Sequence, residues 1–108
     1  MLQGQCQLLK IYISEDSKYK SHNLVNVLVS KFRELGMDGL TITRGIEGYG
    51  KKKELHTVKI LDLSSSLPLI IEIVDTPDKI EKAIAVAKEI VKEGLMFVAD
   101  VNVISSNS

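Results

Sequence analysis

The stretch Gly39-Leu-Thr-Ile-Thr-Arg-Gly-Ile-Glu-Gly-Tyr-Gly50 decides how the chain is read, because it begins with the alternation of a strand and ends in glycines. Leu40, Ile42, Arg44 and Ile46 alternate with Thr41, Thr43, Gly45 and Glu47, a period of two that gives the faces of a strand different chemistry. Gly48-Tyr-Gly50 permits backbone conformations closed to other residues, and Lys51-Lys-Lys53-Glu54-Leu-His56 follows with cations, a carboxylate and an imidazole. A strand, read as the central one, thus delivers a polar loop of about residues 48–66 to a fixed point on the surface.

On the N-terminal side, Leu8-Leu-Lys-Ile-Tyr-Ile13 reads as a first strand with Leu9, Ile11 and Ile13 on one face. From about Lys20 the spacing changes: Leu24, Leu28, Phe32 and Leu35 recur every three or four residues, an amphipathic helix closed by Gly36. His22 falls near its start and reads as a surface or capping side chain.

On the C-terminal side, Thr57-Val-Lys-Ile-Leu-Asp-Leu63 reads as a short strand or extended return, broken by Ser64-Ser-Ser66. Pro68 opens the most apolar strand, Leu69-Ile-Ile-Glu-Ile-Val-Asp75, whose near-continuous Ile and Val content predicts burial on both faces. The charge in the interior of that run, Glu72, is expected to pair with a cross-strand cation or to point out at an edge, with a ligand role as the alternative.

Thr76-Pro-Asp-Lys79 is a helix start: Thr76 as cap, Pro77 in the first turn, where its missing N–H is not needed, and Asp78 at the positive end of the dipole. Ile80, Ala83, Ile84, Ala87 and Val91 form the apolar stripe, and Gly94 is expected to end the helix. Phe97 to Ile104 is a last strand, and residues 105–108 form a tail expected to fray. The order strand, helix, strand, return, strand, helix, strand predicts an α+β, ferredoxin-like βαββαβ sandwich with both helices on one face of the sheet, a single domain over residues 1–108.

Two helices cover one side of such a sheet. Leu8, Tyr12, Ile70, Val74, Val98 and Ile104 are assigned to the other side, opposite Leu9, Ile71, Ile73, Val101 and Val103. At about 25 cal/mol per Å² of apolar surface, leaving several such side chains wet forgoes several kcal/mol, so self-association through the open face is expected.

Composition narrows the chemistry. The 108 residues are 44% hydrophobic and 26% charged, with fourteen Lys and Arg against fourteen Asp and Glu, so no global field draws in nucleic acid or an anionic membrane. The one cysteine, Cys6, reads as an incidental thiol; with no signal segment apparent, a reducing cytoplasm is expected. His22 and His56 are the two histidines, with no serine elbow, no HExxH helix and no Cys/His pairs at zinc spacing, so neither an enzyme nor a resident metal or cofactor is expected. Aromatics make up only 5% of the chain and none lies in Leu69 to Val74, against an RNA-recognition sheet. What remains is the Gly48-Tyr-Gly-Lys-Lys-Lys53 loop, either a cradle for phosphate or a solvated hairpin tip.

The run Arg44-Gly-Ile-Glu-Gly-Tyr-Gly50, then His56, then Leu67-Pro-Leu-Ile-Ile-Glu-Ile-Val-Asp75, resembles the PII-like family catalogued as domain of unknown function 190, over about Leu8 to Ile104. The resemblance implies ferredoxin-like subunits in a homotrimer with open sheet faces turned inward, and small ligands at the intersubunit clefts. It also implies a loop after the second strand that regulates a protein partner such as a membrane transporter. It puts Thr41 on the cleft side of its strand and Gly48, Tyr49, Gly50 and Lys51 at the loop base. With Arg44 and His56 these form the candidate ligand-binding set, and an adenine nucleotide or similar anion is the implied ligand. The sequence departs from PII proteins in three places: Lys51-Lys52 replaces Arg-Gln, Glu93-Gly-Leu-Met96 lacks a Gly-Asp-Gly-Lys phosphate loop, and no arginine follows Val103. The alternative is a trimeric metal-handling protein of the copper-tolerance type, holding metal through His56 and acidic loop groups.

Overall fold

The computed structural model describes residues 2–48, 56–57 and 67–106. Strand β1 runs over Gly4–Ser14, longer than the apolar run alone predicts. A small hairpin, β2 (Lys18–Tyr19) and β3 (His22–Asn23), then leads into helix α1 (Leu24–Glu34). His22 is therefore an exposed hairpin residue, and the helix is capped by Asn23, whose side-chain oxygen accepts the Asn26 N–H at 3.2 Å.

Helix α1 buries Leu24, Leu28 and Phe32, the stripe that its spacing predicts. It closes with paired bonds, from the Gly36 N–H to the Arg33 carbonyl at 3.1 Å and from the Met37 N–H to the Phe32 carbonyl at 3.3 Å. Gly36 takes φ +77, which a side chain would resist.

Strand β4 (Thr41–Arg44) is followed by a two-residue ribbon in which β5 (Glu47–Gly48) pairs with β6 (His56–Thr57). Strand β7 (Pro68–Asp75), helix α2 (Pro77–Ile90) and strand β8 (Leu95–Val103) complete the order. The expected return over Thr57 to Leu63 is described only at Thr57. Helix α2 buries Ile80, Ala83, Ala87 and Ile90 and stops at an extended Val91, so Gly94 is not its cap. Thr76 stands at the N-cap without a side-chain cap bond.

The four-stranded sheet has the order β4-β7-β1-β8, antiparallel throughout, which is the ferredoxin-like arrangement of a βαββαβ chain. Leu9, Ile11, Ile13, Leu69, Ile71 and Ile73 meet the two helix stripes in one core. Strand β4, read from the sequence as central, lies at an edge, because the two long apolar strands β1 and β7 take the middle.

Register corrects two further expectations. Strand β7 alternates between buried and half-buried rather than being buried on both faces, because helices cover only one side. On β8, Val98 stands opposite Leu9 and so lies on the helix-bearing face, whereas Val101 and Val103 stand opposite Cys6 and Gly4 on the open face. Apolar open-face residues thus include Leu8, Tyr12, Ile70, Val74, Leu95, Phe97, Val101 and Val103, with the Tyr12 and Phe97 rings 6.2 Å apart.

Candidate functional site

On the open face, at the end of the sheet where β4 begins, lies a cleft of about 540 Å³, open to solvent. Its floor is made by side chains that register places side by side: Leu8 opposite Val74, and Thr41 opposite Glu72. One wall is the connection Asp38, Gly39 and Leu40, and the other is formed by Leu2 and Ser106, whose hydroxyl donates to the Leu2 carbonyl at 2.8 Å.

Glu72 explains itself by position. It stands between Lys10 on β1 and Thr41 on β4, so the one charge in the interior of the strand faces a cation on the neighbouring strand and the cleft at the same time. Asp38, Glu72, Thr41 and Ser106 are the polar lining, two carboxylates and two hydroxyls.

The Asp38 wall is held from behind. Asp75, the last residue of β7, is 0% exposed, and its carboxylate accepts the Asp38 N–H at 3.0 Å and the Thr76 N–H at 2.8 Å. Two backbone donors satisfy a buried carboxylate that would otherwise be costly to enclose. One turn into α2, Lys79 donates to the Gly36 carbonyl at 3.0 Å and approaches the Asp38 carboxylate at 3.8 Å. The exit of α1 is thereby fastened to the entry of α2, and the wall between them is set.

Of the candidate residues, the structure places Thr41 in the cleft and Arg44 elsewhere. Arg44 lies two pleats from Ile42 on the helix-bearing face, opposite Leu69, and its guanidinium meets Glu15 Oε2 at 2.7 Å. That oxygen is shielded from solvent, so Arg44 is the group that answers its charge. The Gly45 N–H donates to the Pro68 carbonyl at 2.7 Å, which pins the last turn of backbone before the loop. Gly48 and His56 are backbone partners in the β5–β6 ribbon, beyond the far end of β4 from the cleft. Tyr49, Gly50 and Lys51 lie outside the described residues.

The sequence reading missed Asp38 and Ser106 as lining groups. A carboxylate just after a helix-closing glycine and just before a strand is a signal for such a wall; nothing local marks Ser106, which arrives because both ends of the chain meet there. Among the described residues no group of three or more His, Cys, Asp or Glu could hold a metal ion, and no helix is long and apolar enough to cross a membrane.

Residues 6–103 match the DUF190 family, described as Uncharacterized ACR, COG1993. A UPF0166 protein of Aquifex aeolicus is 38% identical over 91% of this chain and 92% of its own length. A UPF0166 protein of Methanocaldococcus jannaschii is 31% identical over 92% of each chain. Among solved structures, a proposed PII-like signaling protein from Thermus thermophilus superposes with TM-score 0.69 at 18% identity, covering 96% of this chain and 94% of that one. The divalent ion tolerance protein CutA1 from Ehrlichia chaffeensis superposes with TM-score 0.57 at 12% identity, covering 99% and 88%. At those identities the two structures speak for the fold.

Proposed function

Because the chain belongs to the DUF190 family, with a fold like that of a PII-like protein, we propose that it is a small regulatory protein without enzymatic activity. It assembles as a homotrimer, binds a nucleotide or similar anionic ligand at clefts between copies, and regulates a protein partner through the loop of residues 48–66. One observation carries this reading. A polar-lined cleft opens on the sheet face that the chain's own helices leave uncovered, at its β4 edge.

The lining divides the ligand. Two carboxylates and two hydroxyls, with no cation among them, accept hydrogen bonds from sugar hydroxyls or a base amine and repel a phosphate. A phosphate belongs instead toward the loop, where Lys51, Lys52 and Lys53 follow the glycines. From Thr41 to Arg44 the strand rises about 10 Å, so a ligand touching both regions is an extended molecule such as a nucleotide rather than a point anion. Regulation follows if the loop takes one arrangement with ligand and another without, since a ligand shifts a conformational equilibrium only through differential contacts.

The metal-handling alternative draws on the likeness to CutA1, which is one of fold. Titration calorimetry with ATP, ADP, AMP and cyclic nucleotides tests the proposal. Heat is expected with at least one of them, weakened about tenfold by Thr41→Val, the order of one lost ligand hydrogen bond. No heat with any of them removes the nucleotide.

A further inference from the structure

Three passages of the chain meet at the end of the sheet where β4 stops. Strand β4 ends at Arg44, strand β7 begins at Pro68, and β1 runs out at Ser14. The chain leads into residues 48–66 from the first of these and comes back at the second.

Glu15, the first residue past β1, reaches three neighbours through three different groups. Its N–H donates to the Leu67 carbonyl at 2.8 Å, which carries the β1–β7 ladder one step beyond its last register pair, Ser14 opposite Pro68. Its carbonyl accepts from Asn23 Nδ2 at 3.4 Å, and the same Asn23 side chain caps α1 by accepting the Asn26 N–H at 3.2 Å. Its carboxylate meets the Arg44 guanidinium at 2.7 Å.

Register shows what that ion pair spans. Arg44 stands beside β7 on one side, opposite Leu69, and Glu15 continues β1 on the other, so the two side chains meet across β7 on the helix-bearing face. Neighbouring strands lie about 4.8 Å apart, so the contact bridges about 10 Å over the residues at which the chain returns to the sheet. Leu67 and Leu69, the first apolar residues after that return, are both buried.

Exposure makes the bond a clasp rather than a fixed strut. The Glu15 side chain is 24% exposed and its paired oxygen is shielded from water, while the Arg44 side chain is 64% exposed. The guanidinium can turn to solvent, whereas the carboxylate oxygen cannot do so without a desolvation cost. Loss of Arg44 therefore leaves a shielded charge unanswered at the residue that also holds Leu67 and Asn23.

We propose that Glu15 is the positioning residue of the loop base, a clasp through which the loop's entry, its exit and the α1 cap hold or loosen together. This rests on the regulation through residues 48–66 proposed above, and it names the route by which an altered arrangement there reaches the helix layer. The route is a chain of bonded groups, Arg44 to Glu15 to Asn23 to Asn26.

The test is amide hydrogen exchange in the full chain with Arg44→Gln, Glu15→Gln and Arg44→Lys, each shown to be folded by circular dichroism. Exchange at position 15, Gly45 and Asn26 is expected to rise about tenfold in the two Gln variants, measured against amides in the middle of β1 and β7, the order of one lost bond to a charged group. In Arg44→Lys, which keeps the cation, it is expected to stay near that of the unsubstituted protein. Exchange at position 15 and Gly45 that moves no more than the sheet centre, an Asn26 amide that stays protected while those two open, or a Lys variant as fast as the Gln variants overturns the clasp. No ligand enters the measurement, so a chain that binds no nucleotide loses the reading above with the clasp intact, and a failed clasp leaves nucleotide binding standing.

Discussion

Gly94 shows how much of this fold hangs on single backbone positions. A Cβ there would lie 2.5 Å from the Tyr12 carbonyl oxygen, a backbone atom that cannot swing aside, and 3.3 Å from Ile13 and Val91 side-chain carbons. Gly94→Ala is therefore expected to cost about 2 kcal/mol, the scale of forcing an extra methyl into packed surroundings, read from the midpoint of denaturant unfolding. An unchanged midpoint would show that β1 and the start of β8 do not approach this closely. The reverse case is the β2–β3 hairpin, where Lys20 and Ser21 take φ 49 and 72 without being glycine. Both are held in the left-handed region, and Ser21→Gly is expected to raise stability by about 0.5–1 kcal/mol once the entropy of the freer unfolded chain is subtracted. A drop in melting temperature would contradict that. At Asp78 the Thr76 hydroxyl, foremost among several small causes, holds the carboxyl below its ordinary value of 3.8. Its support for the start of α2 is thus present above the unfolded-state value and lost as pH falls through the folded one.

Among the elements, those with one clear period were legible and those with two apolar faces were not. Leu24, Leu28 and Phe32 in α1, and Ile80, Ala83 and Ala87 in α2, are buried as their spacing requires. In β8, by contrast, Phe97, Val98, Ala99, Val101 and Val103 put apolar residues on both sides, so only the register with β1 tells which side faces the helices. The same limit applies to β4: its alternation marks a strand, but sheet position depends on which strands out-compete it for the middle, and that is a property of the whole chain. Thr41 and Glu72 line the cleft, the first singled out beforehand only through the family resemblance and the second as a charge inside an apolar strand, whereas Asp38 was illegible because its placement depends on Asp75, far off in sequence. That junction is testable on its own. Asp75→Asn turns one acceptor into a donor facing a backbone N–H, and a loss of about 1–3 kcal/mol is expected, with the Asp38 amide exchanging hydrogen faster relative to the interior of α1. Protection at Asp38 equal to that of the unsubstituted protein would mean the wall is held by something else.

At the scale of the molecule, the open sheet face is the feature the rest depends on. Leu8, Tyr12, Ile70 and Val74 are only half-buried there, and Leu95 and Phe97 are exposed beside them, with one register row of charge, Lys10 and Glu72, crossing the face. Monomeric proteins rarely leave a contiguous apolar surface of this kind in water. Its burial between copies would turn a shallow cleft into an enclosed one, in which polar groups act on a ligand more strongly than they do in solvent. Mass measured by light scattering at micromolar concentration tests this most directly. Three copies of the 12.0 kDa chain moving as one particle are the expected result, and a single 12.0 kDa species would contradict the account.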